Sequence, residues 1–167
     1  FGMMRLPVKN GNPTDFDYDE LNRMVDTFIE AGYTYFDTSY VYHNGKSEEA
    51  TRKAVVERYP RDAFTVATKF PTFSLEREDQ IEPIFAEQLE NLGVDYIDYY
   101  LLHNFQTVYY DGIDGKGGIV KTAHLFDHAN KWKADGKIKH LGFSFHSSAK
   151  MLDRSLTEHP EAEFVQI

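Results

Sequence analysis

Residues 35–42 read YFDTSYVY, and the architecture of the chain can be worked out from this stretch. An apolar, strand-like run within it ends at Asp37, and Tyr42 follows shortly afterwards. Two later apolar runs end in a similar way, one at Lys69 and the other at His103. Because the carboxyl ends of parallel strands lie at one edge of a sheet, we expect these four side chains to meet.

Apolar spacing predicts strands and helices in strict alternation along the chain. We predict strands over residues 1–8, 33–36, 64–68, 96–102, 138–143 and 164–167. We predict helices from Asp17 to Gly32 and over residues 47–58, 82–91, 119–134 and 148–158, with Asp17 and Ser47 as caps. Such alternation is typical of a parallel sheet with crossover helices, which is the α/β class.

The arrangement of that sheet follows from where its polar residues lie. A doubly wound, dinucleotide-binding sheet carries a Gly-x-Gly-x-x-Gly turn after its first strand, and residues 8–11 do not match it. The polar residues instead follow the carboxyl ends of successive strands, as in a (β/α)8 TIM-type barrel. Such a barrel takes about 250 residues, whereas this chain has 167. We therefore expect residues 1–167 to be the N-terminal part of a single barrel, about the first five and a half βα units, with the remaining strands outside this chain.

The composition argues against several classes of partner. The formal net charge is -9, and since phosphate recognition needs clustered Lys and Arg, we expect no nucleic acid partner. No apolar run approaches the ~20 residues of a spanning helix, so we expect no membrane partner. The chain has no cysteine, which fits a cytoplasmic location. His124 and His128 share a helix face, but no third ligand is in view, and we expect no metal site.

Side-chain chemistry connects the four strand-end residues to one reaction. A tyrosine hydroxyl has a pKa of about 10, and a neighbouring ammonium lowers that pKa by favouring the phenolate. Lys69 would supply the ammonium, Asp37 would keep it charged, and His103 would orient a substrate oxygen. Tyr42 would then give a proton to a carbonyl oxygen while a hydride reaches the carbon. No side chain carries a hydride, so this hypothesis requires a nicotinamide cofactor.

Each of these residues also has an ordinary explanation. An Asp at a strand end commonly caps a loop, a strand-end Lys is commonly a surface charge, and a His after two leucines is commonly packed in the core. Two other functions stay open: a regulatory barrel that binds nicotinamide without catalysis, and a cofactor-free hydrolase or lyase that uses Asp37 and His103. The case for carbonyl reduction rests on all four residues falling on one predicted face.

Four motifs in order along the chain resemble those of the aldo-keto reductases. They are FDTS at residues 36–39 with Tyr42, ATK at residues 67–69, DYYLLH at residues 98–103 and GFS at residues 142–144. The resemblance covers essentially the whole chain. It implies a barrel enzyme that reduces an aldehyde or ketone to an alcohol with NADPH, or with NADH, through catalytic residues Asp37, Tyr42, Lys69 and His103. It also implies that Ser144 and Gln166 hydrogen-bond the nicotinamide carboxamide.

One departure from the family pattern and one local similarity refine this expectation. Many members have Asn after the serine, whereas Phe145 and His146 follow Ser144 here. The sequences LLHN at residues 101–104 and GFSFH at residues 142–146 resemble those of a bacterial branch of the family. Members of that branch often carry a Cys-rich, ferredoxin-like tail, so an iron–sulfur cluster would need sequence outside these residues. The residues predict neither the physiological substrate nor the oligomeric state.

Overall fold

The computed structural model describes residues 1–167, which form seven α-helices and five β-strands. The helices are α1 (Tyr18–Glu30), α2 (Ser47–Thr51, continued by a π-helix over Arg52–Val56), α3 (Ile81–Leu92), α4 (Thr107–Asp111), α5 (Ile119–Thr122), α6 (Leu125–Ala134) and α7 (Ala149–Glu158). The strands are β1 (Tyr35–Asp37), β2 (Thr65–Phe70), β3 (Ile97–Phe105), β4 (Ile138–Phe145) and β5 (Phe164–Gln166). Short 3-10 helices lie at Arg61–Ala63, Thr72–Ser74 and Glu78–Gln80.

The five strands form one parallel sheet in the order β1-β2-β3-β4-β5. Consecutive strands are therefore neighbours, and helices cross over between them. Strand pairing places Asp37 opposite Ala67, Lys69 opposite Leu101, and Ser144 opposite Gln166. The predicted parallel α/β sheet is confirmed, and its sequential strand order is that of part of a barrel rather than of a doubly wound sheet.

The two faces of the sheet carry different side chains, because successive residues of a strand point to opposite sides. On the outer face, Phe36 packs against Phe28 of α1 with ring centroids 5.2 Å apart, and Tyr100 packs against Phe85 of α3 at 5.3 Å. On the inner face, Tyr99 of β3 contacts Tyr35 of β1, with ring centroids 5.3 Å apart. Helices thus cover the outer face, while Asp37 and Lys69 fall in the inner-facing register.

The predicted strand over residues 1–8 is wrong. Only Gly2 forms a parallel bridge, to Asp37 at the end of β1, and the amide of Met3 donates to the Asp37 carbonyl at 2.8 Å. The chain then turns, and Val8 pairs antiparallel with Phe16 instead. The apolar composition of this segment serves core packing, since Met3 and Leu6 are buried, and the sheet has five strands rather than six.

Of the two predicted helix caps, one is confirmed and the other is wrong. The Asp17 side chain accepts a hydrogen bond from the Glu20 amide at 3.1 Å, which confirms the cap of α1. The prediction for Ser47 is wrong, because this residue lies inside the first turn of α2. Its hydroxyl donates to the Met3 carbonyl at 2.9 Å and accepts from Thr38 at 2.9 Å, so it joins α2 to the segment that follows β1.

The region between β3 and β4 also differs from the prediction. Residues 107–118, for which we predicted neither a strand nor a helix, contain the short helix α4. The expected helix over residues 119–134 is divided into α5 and α6 at His124, whose backbone φ is 50°. A left-handed residue of this kind interrupts helical hydrogen bonding, which apolar spacing alone does not reveal. None of the helices has both the length and the apolar character that crossing a bilayer requires.

Candidate active site

A buried ion pair joins the ends of β1 and β2. The Lys69 ammonium donates to Asp37 Oδ1 at 2.7 Å and to the Thr38 carbonyl at 2.7 Å. The Lys69 side chain is only 2% exposed, and that of Asp37 is 14% exposed. Burial lowers the pKa of Lys69, and the neighbouring Asp37 charge opposes that shift. The pair therefore holds a positive charge at a fixed point on the inner face.

Tyr42 lies in the turn after β1, beside this pair. The Lys69 Nζ atom is 5.0 Å from the centroid of the Tyr42 ring. Burial, together with the Asp37 charge, raises the pKa of Tyr42 to about 12. The lowering of this pKa by Lys69 that the sequence predicts is not seen in the structure. The physical reason is that Lys69 donates to Asp37 and to the Thr38 carbonyl, while desolvation disfavours the phenolate.

His103 lies on β3, next to Tyr42. The two ring centroids are 5.9 Å apart and the rings are nearly perpendicular, at 83°. His103 Nδ1 is 3.1 Å from the Ser39 hydroxyl oxygen, and the Phe73 ring packs against the imidazole with centroids 5.4 Å apart. Burial and the positive charge of Lys69 lower the pKa of His103 to about 4. The imidazole is thus neutral near neutral pH.

The two predicted cofactor-binding residues lie on the next two strands. Ser144 of β4 is paired in register with Gln166 of β5. The Ser144 hydroxyl oxygen accepts from the Asn104 amide at 2.8 Å, which leaves its own O–H free to donate. Gln166 Oε1 is buried and accepts no hydrogen bond from the protein. Together they offer one donor and one open acceptor, which is what a primary carboxamide requires, so these residues fit a nicotinamide.

The structure brings the predicted residues to one end of the sheet. Asp37, Tyr42, Lys69 and His103 form one contiguous cluster, linked by the ion pair and by the ring contacts described above. The hydrogen bond between the Asn104 amide and Ser144 connects that cluster to β4. These residues lie near the carboxyl ends of their strands or, for Tyr42, shortly after one, as the barrel prediction requires.

Four residues of this site were not predicted. They are Thr38 and Ser39, which hold Lys69 and His103, and Phe73 and Asn104. For the first two a signal existed, since both lie in the stretch 35–42 directly after the strand end. Asn104 acts through a backbone amide at an irregularity in the β3–β4 pairing, where its φ is 58°. Nothing in its side chain or spacing indicates that role.

A mainly apolar groove lies away from this cluster. It has a volume of about 470 Å³ and is lined mainly by α1, with Met24, Phe28 and Tyr33 among its walls. None of the predicted site residues lines it. The groove therefore holds none of the titratable groups that the cluster brings together.

Comparison with known proteins gives the same family along the entire chain. The model of the Aldo/keto reductase family matches residues 1–167. The aldo-keto reductase str7 of Strobilurus tenacellus is 33% identical over 147 residues, which are 86% of this chain and 40% of that protein. The aldo-keto reductase yakc [NADP(+)] of Schizosaccharomyces pombe is 29% identical over 170 residues, covering 96% of this chain and 45% of that protein.

Solved structures agree on the fold. An aldo-keto reductase from Klebsiella pneumoniae in complex with NADPH superposes with a TM-score of 0.75 at 19% identity, over 100% of this chain and 52% of that one. The Bombyx mori aldo-keto reductase AKR2E4 in complex with NADP gives a TM-score of 0.68 at 24% identity, over 100% and 51%. The predicted barrel-type architecture is confirmed. The chain spans about half the length of these proteins.

Proposed function

Because the chain belongs to the aldo/keto reductase family, we propose that the whole protein is an NADPH-dependent oxidoreductase that reduces an aldehyde or ketone to an alcohol, with Tyr42 as proton donor. One observation carries the assignment. The buried Lys69–Asp37 pair, at 2.7 Å, lies directly beside Tyr42 and His103 on the inner face of the sheet. Strand ends of barrels are where catalytic residues collect.

The cofactor assignment rests on relatives and on two side chains. Several of the matching structures contain NADPH or NADP, which favours NADPH here, with NADH as the alternative. When bound, the nicotinamide supplies the hydride. Ser144 would donate its hydroxyl hydrogen to the carboxamide oxygen. Gln166 Oε1, which has no partner in the protein, would accept from the carboxamide nitrogen.

Tyr42 would hold the proton that the reaction consumes. With its pKa raised to about 12, the hydroxyl is protonated throughout the neutral range and can donate to the oxygen of a bound carbonyl. The nearby Lys69 ammonium, 5.0 Å from the ring centroid, would stabilise the negative charge left behind on the phenolate. Asp37 would keep that ammonium in place through their ion pair.

His103 would orient the substrate rather than transfer the proton. With its pKa lowered to about 4, the ring is neutral and retains one N–H. If Ser39 donates to Nδ1, across the 3.1 Å contact, the hydrogen lies on Nε2. That N–H would donate to the same carbonyl oxygen that receives the Tyr42 proton. The oxygen would then be held between two donors, which fixes the face of the carbon presented for reduction.

The test is oxidation of NADPH by the whole protein with a panel of aldehydes and ketones. Turnover should depend on Tyr42, and Tyr42→Phe should lower kcat by about 10²- to 10⁴-fold, with NADPH binding unchanged by fluorescence. Tyr40→Phe is the matched control, because the Tyr40 hydroxyl donates to Glu87 on the outside and should not affect turnover. Wild-type turnover in Tyr42→Phe would show that another group donates the proton.

A second candidate is a regulatory barrel that binds nicotinamide without catalysis. The observation in its favour is the raised pKa of Tyr42, since a phenol at about 12 is a weak acid. This candidate predicts NADPH binding by fluorescence and no turnover with any carbonyl. A cytoplasmic location, a bacterial origin and an iron–sulfur tail are predictions from sequence alone.

A further inference from the structure

A second buried polar cluster lies behind β2, on the outer face of the sheet. We call it the Glu48 cluster; it consists of Glu48, Thr68, Gln88 and Tyr100, all of which are 0% exposed. Glu48 Oε1 accepts from the Thr68 hydroxyl at 2.6 Å and from Gln88 Nε2 at 2.9 Å. None of the residues belongs to the site described above, and they join α2, β2, α3 and β3.

Gln88 connects this cluster to Lys69 on β2. Its Nε2 also donates to the backbone carbonyl of Lys69 at 3.2 Å. Its Oε1 accepts from the Tyr100 hydroxyl at 2.5 Å, which fixes which end of the amide is the donor. Both hydrogens of the amide are therefore used, one on the Glu48 carboxylate and one on the peptide that carries the Lys69 side chain.

Thr68 makes the second connection, because it immediately precedes Lys69 in β2. Its side chain points outward to Glu48, and the side chain of Lys69 points inward to Asp37. The Glu48 cluster therefore holds Thr68 and Lys69 of β2 from the outer face of the sheet. The Lys69 side chain extends from the same point of the strand to the inner face. A shift of this backbone would carry the Lys69 Nζ atom with it.

Burying the Glu48 carboxyl group costs free energy, which a purely structural contact could avoid. Burial raises the pKa of Glu48 to about 7, against the hydrogen bonds from Thr68, Gln88 and Asn91. The titratable groups that face Glu48 are Glu87 of α3, Tyr100 of β3 and Tyr40, and none of them is a cation. Apolar side chains of similar volume commonly replace such buried polar groups at little cost in stability. Fully connected polar networks do, however, fix one geometry.

We propose that Glu48 is a positioning residue for Lys69, acting through Gln88 and Thr68 on the backbone of β2. For its effect on turnover the inference rests on the proposed function. For the geometry of Lys69 it rests on the hydrogen bonds alone. The cluster thus sets where the ammonium lies relative to Tyr42, without touching substrate or cofactor.

The decisive variants separate geometry from charge. Glu48→Gln retains a carbonyl oxygen that can accept from Thr68 and Gln88, so it should keep kcat near the wild-type value. Glu48→Leu and Gln88→Met remove the link, and each should lower kcat by about 100-fold. KM for the carbonyl should change little, because no contact to substrate is lost. Equal losses in Glu48→Gln and Glu48→Leu would overturn the proposal.

The matched control is Asp98→Asn. Asp98 is another buried acid next to β2, and it bonds the Val66 amide at 3.0 Å, at the opposite end of the strand. This variant should lose stability and keep kcat. A fall in kcat as large as that of Gln88→Met would mean that any disturbance of β2 has the same effect, and the proposal would be wrong.

A second measurement does not depend on activity. Burial lowers the pKa of Lys69, so a loosened backbone should let water reach the ammonium and move that pKa up towards its ordinary value. NMR titration of ¹³Cε-labelled lysine, with Lys69→Arg to assign the signal, should show this rise in Glu48→Leu and Gln88→Met but not in Asp98→Asn. If Glu48→Leu does not fold, Gln88→Met decides.

The activity assay and the Lys69 titration test the proposed function and the positioning role separately. A protein without carbonyl reductase activity would refute the proposed function, and the Lys69 titration would still decide the positioning role. An unchanged Lys69 pKa in Gln88→Met overturns that role, whatever the activity.

Discussion

An acid is paired with two basic side chains at the amino end of the sheet, and another acid is paired with a single lysine at the carboxyl end. At the amino end, Asp98 Oδ2 accepts from Arg61 at 2.6 Å and from the Val66 amide at 3.0 Å, and Oδ1 accepts from Lys139 at 3.0 Å. At the carboxyl end, Asp37 Oδ1 accepts from Lys69 at 2.7 Å, but Oδ2 is buried without a partner.

This difference indicates what each pair does. A buried carboxylate whose two oxygens are bonded to two cations and a backbone amide is a structural tie. A buried carboxylate with one open oxygen, next to a protonated phenol and a neutral imidazole, retains capacity to bind something else. In barrels the amino-terminal face supports stability and the carboxyl-terminal face carries catalysis. The two pairs match that division.

The largest expected effect is on turnover, from loss of the cation at the carboxyl end. Lys69→Met keeps an unbranched chain of similar length in the buried site and removes the charge that would stabilise the Tyr42 phenolate. We expect kcat of the whole protein to fall by about 10²- to 10⁴-fold, measured as NADPH oxidation with the best carbonyl substrate of the panel.

The matched variant at the amino end is Lys139→Met, which removes a cation from Asp98 on the neighbouring strand β3. It should leave kcat unchanged. If the two variants lose turnover equally, the two ends of the sheet do not differ in function.

The second largest effect is on stability, and we expect it at the amino end of the sheet rather than at the carboxyl end. Asp98→Ala leaves Arg61 and the Val66 amide without their acceptor in a buried environment. We expect the free energy of unfolding to fall by about 2–3 kcal/mol, measured by urea unfolding of the whole protein, with kcat retained wherever the variant is folded. A loss below about 1 kcal/mol would place Asp98 with ordinary exposed ion pairs.

A third prediction concerns pH and the carboxyl end. Burial and Lys69 lower the pKa of His103 from 6.5 to about 4. Between these values the unfolded chain binds a proton that the folded chain does not, so stability falls as the pH falls through this window. From pH 7 to pH 4.5, the wild type should lose roughly 2–3 kcal/mol more than His103→Gln.

Unfolding at the two pH values measures that difference directly. Glu48, whose pKa burial raises to about 7, acts with the opposite sign, but equally in both proteins, and cancels. An equal loss in wild type and His103→Gln would mean that His103 is protonated as readily in the folded protein as in the unfolded chain. Burial at the carboxyl end would then not disfavour the protonated form of His103.

Much of this arrangement could be predicted because it depends on local order. The alternation of apolar runs and helical spacing indicates parallel strands, and strand ends indicate which edge Asp37, Lys69 and His103 share. The cap at Asp17 follows from its distance to Glu20 alone. Residues of this kind are determined by their neighbours in sequence, so a single chain is enough to find them.

The rest depends on contacts between distant segments. The raised pKa of Tyr42 follows from the burial of its ring, which its spacing from Asp37 does not reveal. The Glu48 cluster joins residues from four elements and has no motif. Of the two cation partners of Asp98, Arg61 lies just before β2 and Lys139 lies on β4, so they are far apart in the sequence.

The smallest effect distinguishes the two cations of Asp98. The Arg61 side chain is 28% exposed, and it also donates to the Phe64 carbonyl at 3.0 Å, whereas the Lys139 side chain is 51% exposed. An ion pair with such an exposed member contributes about 0–1 kcal/mol. Lys139→Met should therefore lower the free energy of unfolding by less than about 1 kcal/mol, and Arg61→Met should lower it by more. If urea unfolding gives the opposite order, solvent exposure does not set the value of these pairs, and the amino-end tie depends on Lys139 instead.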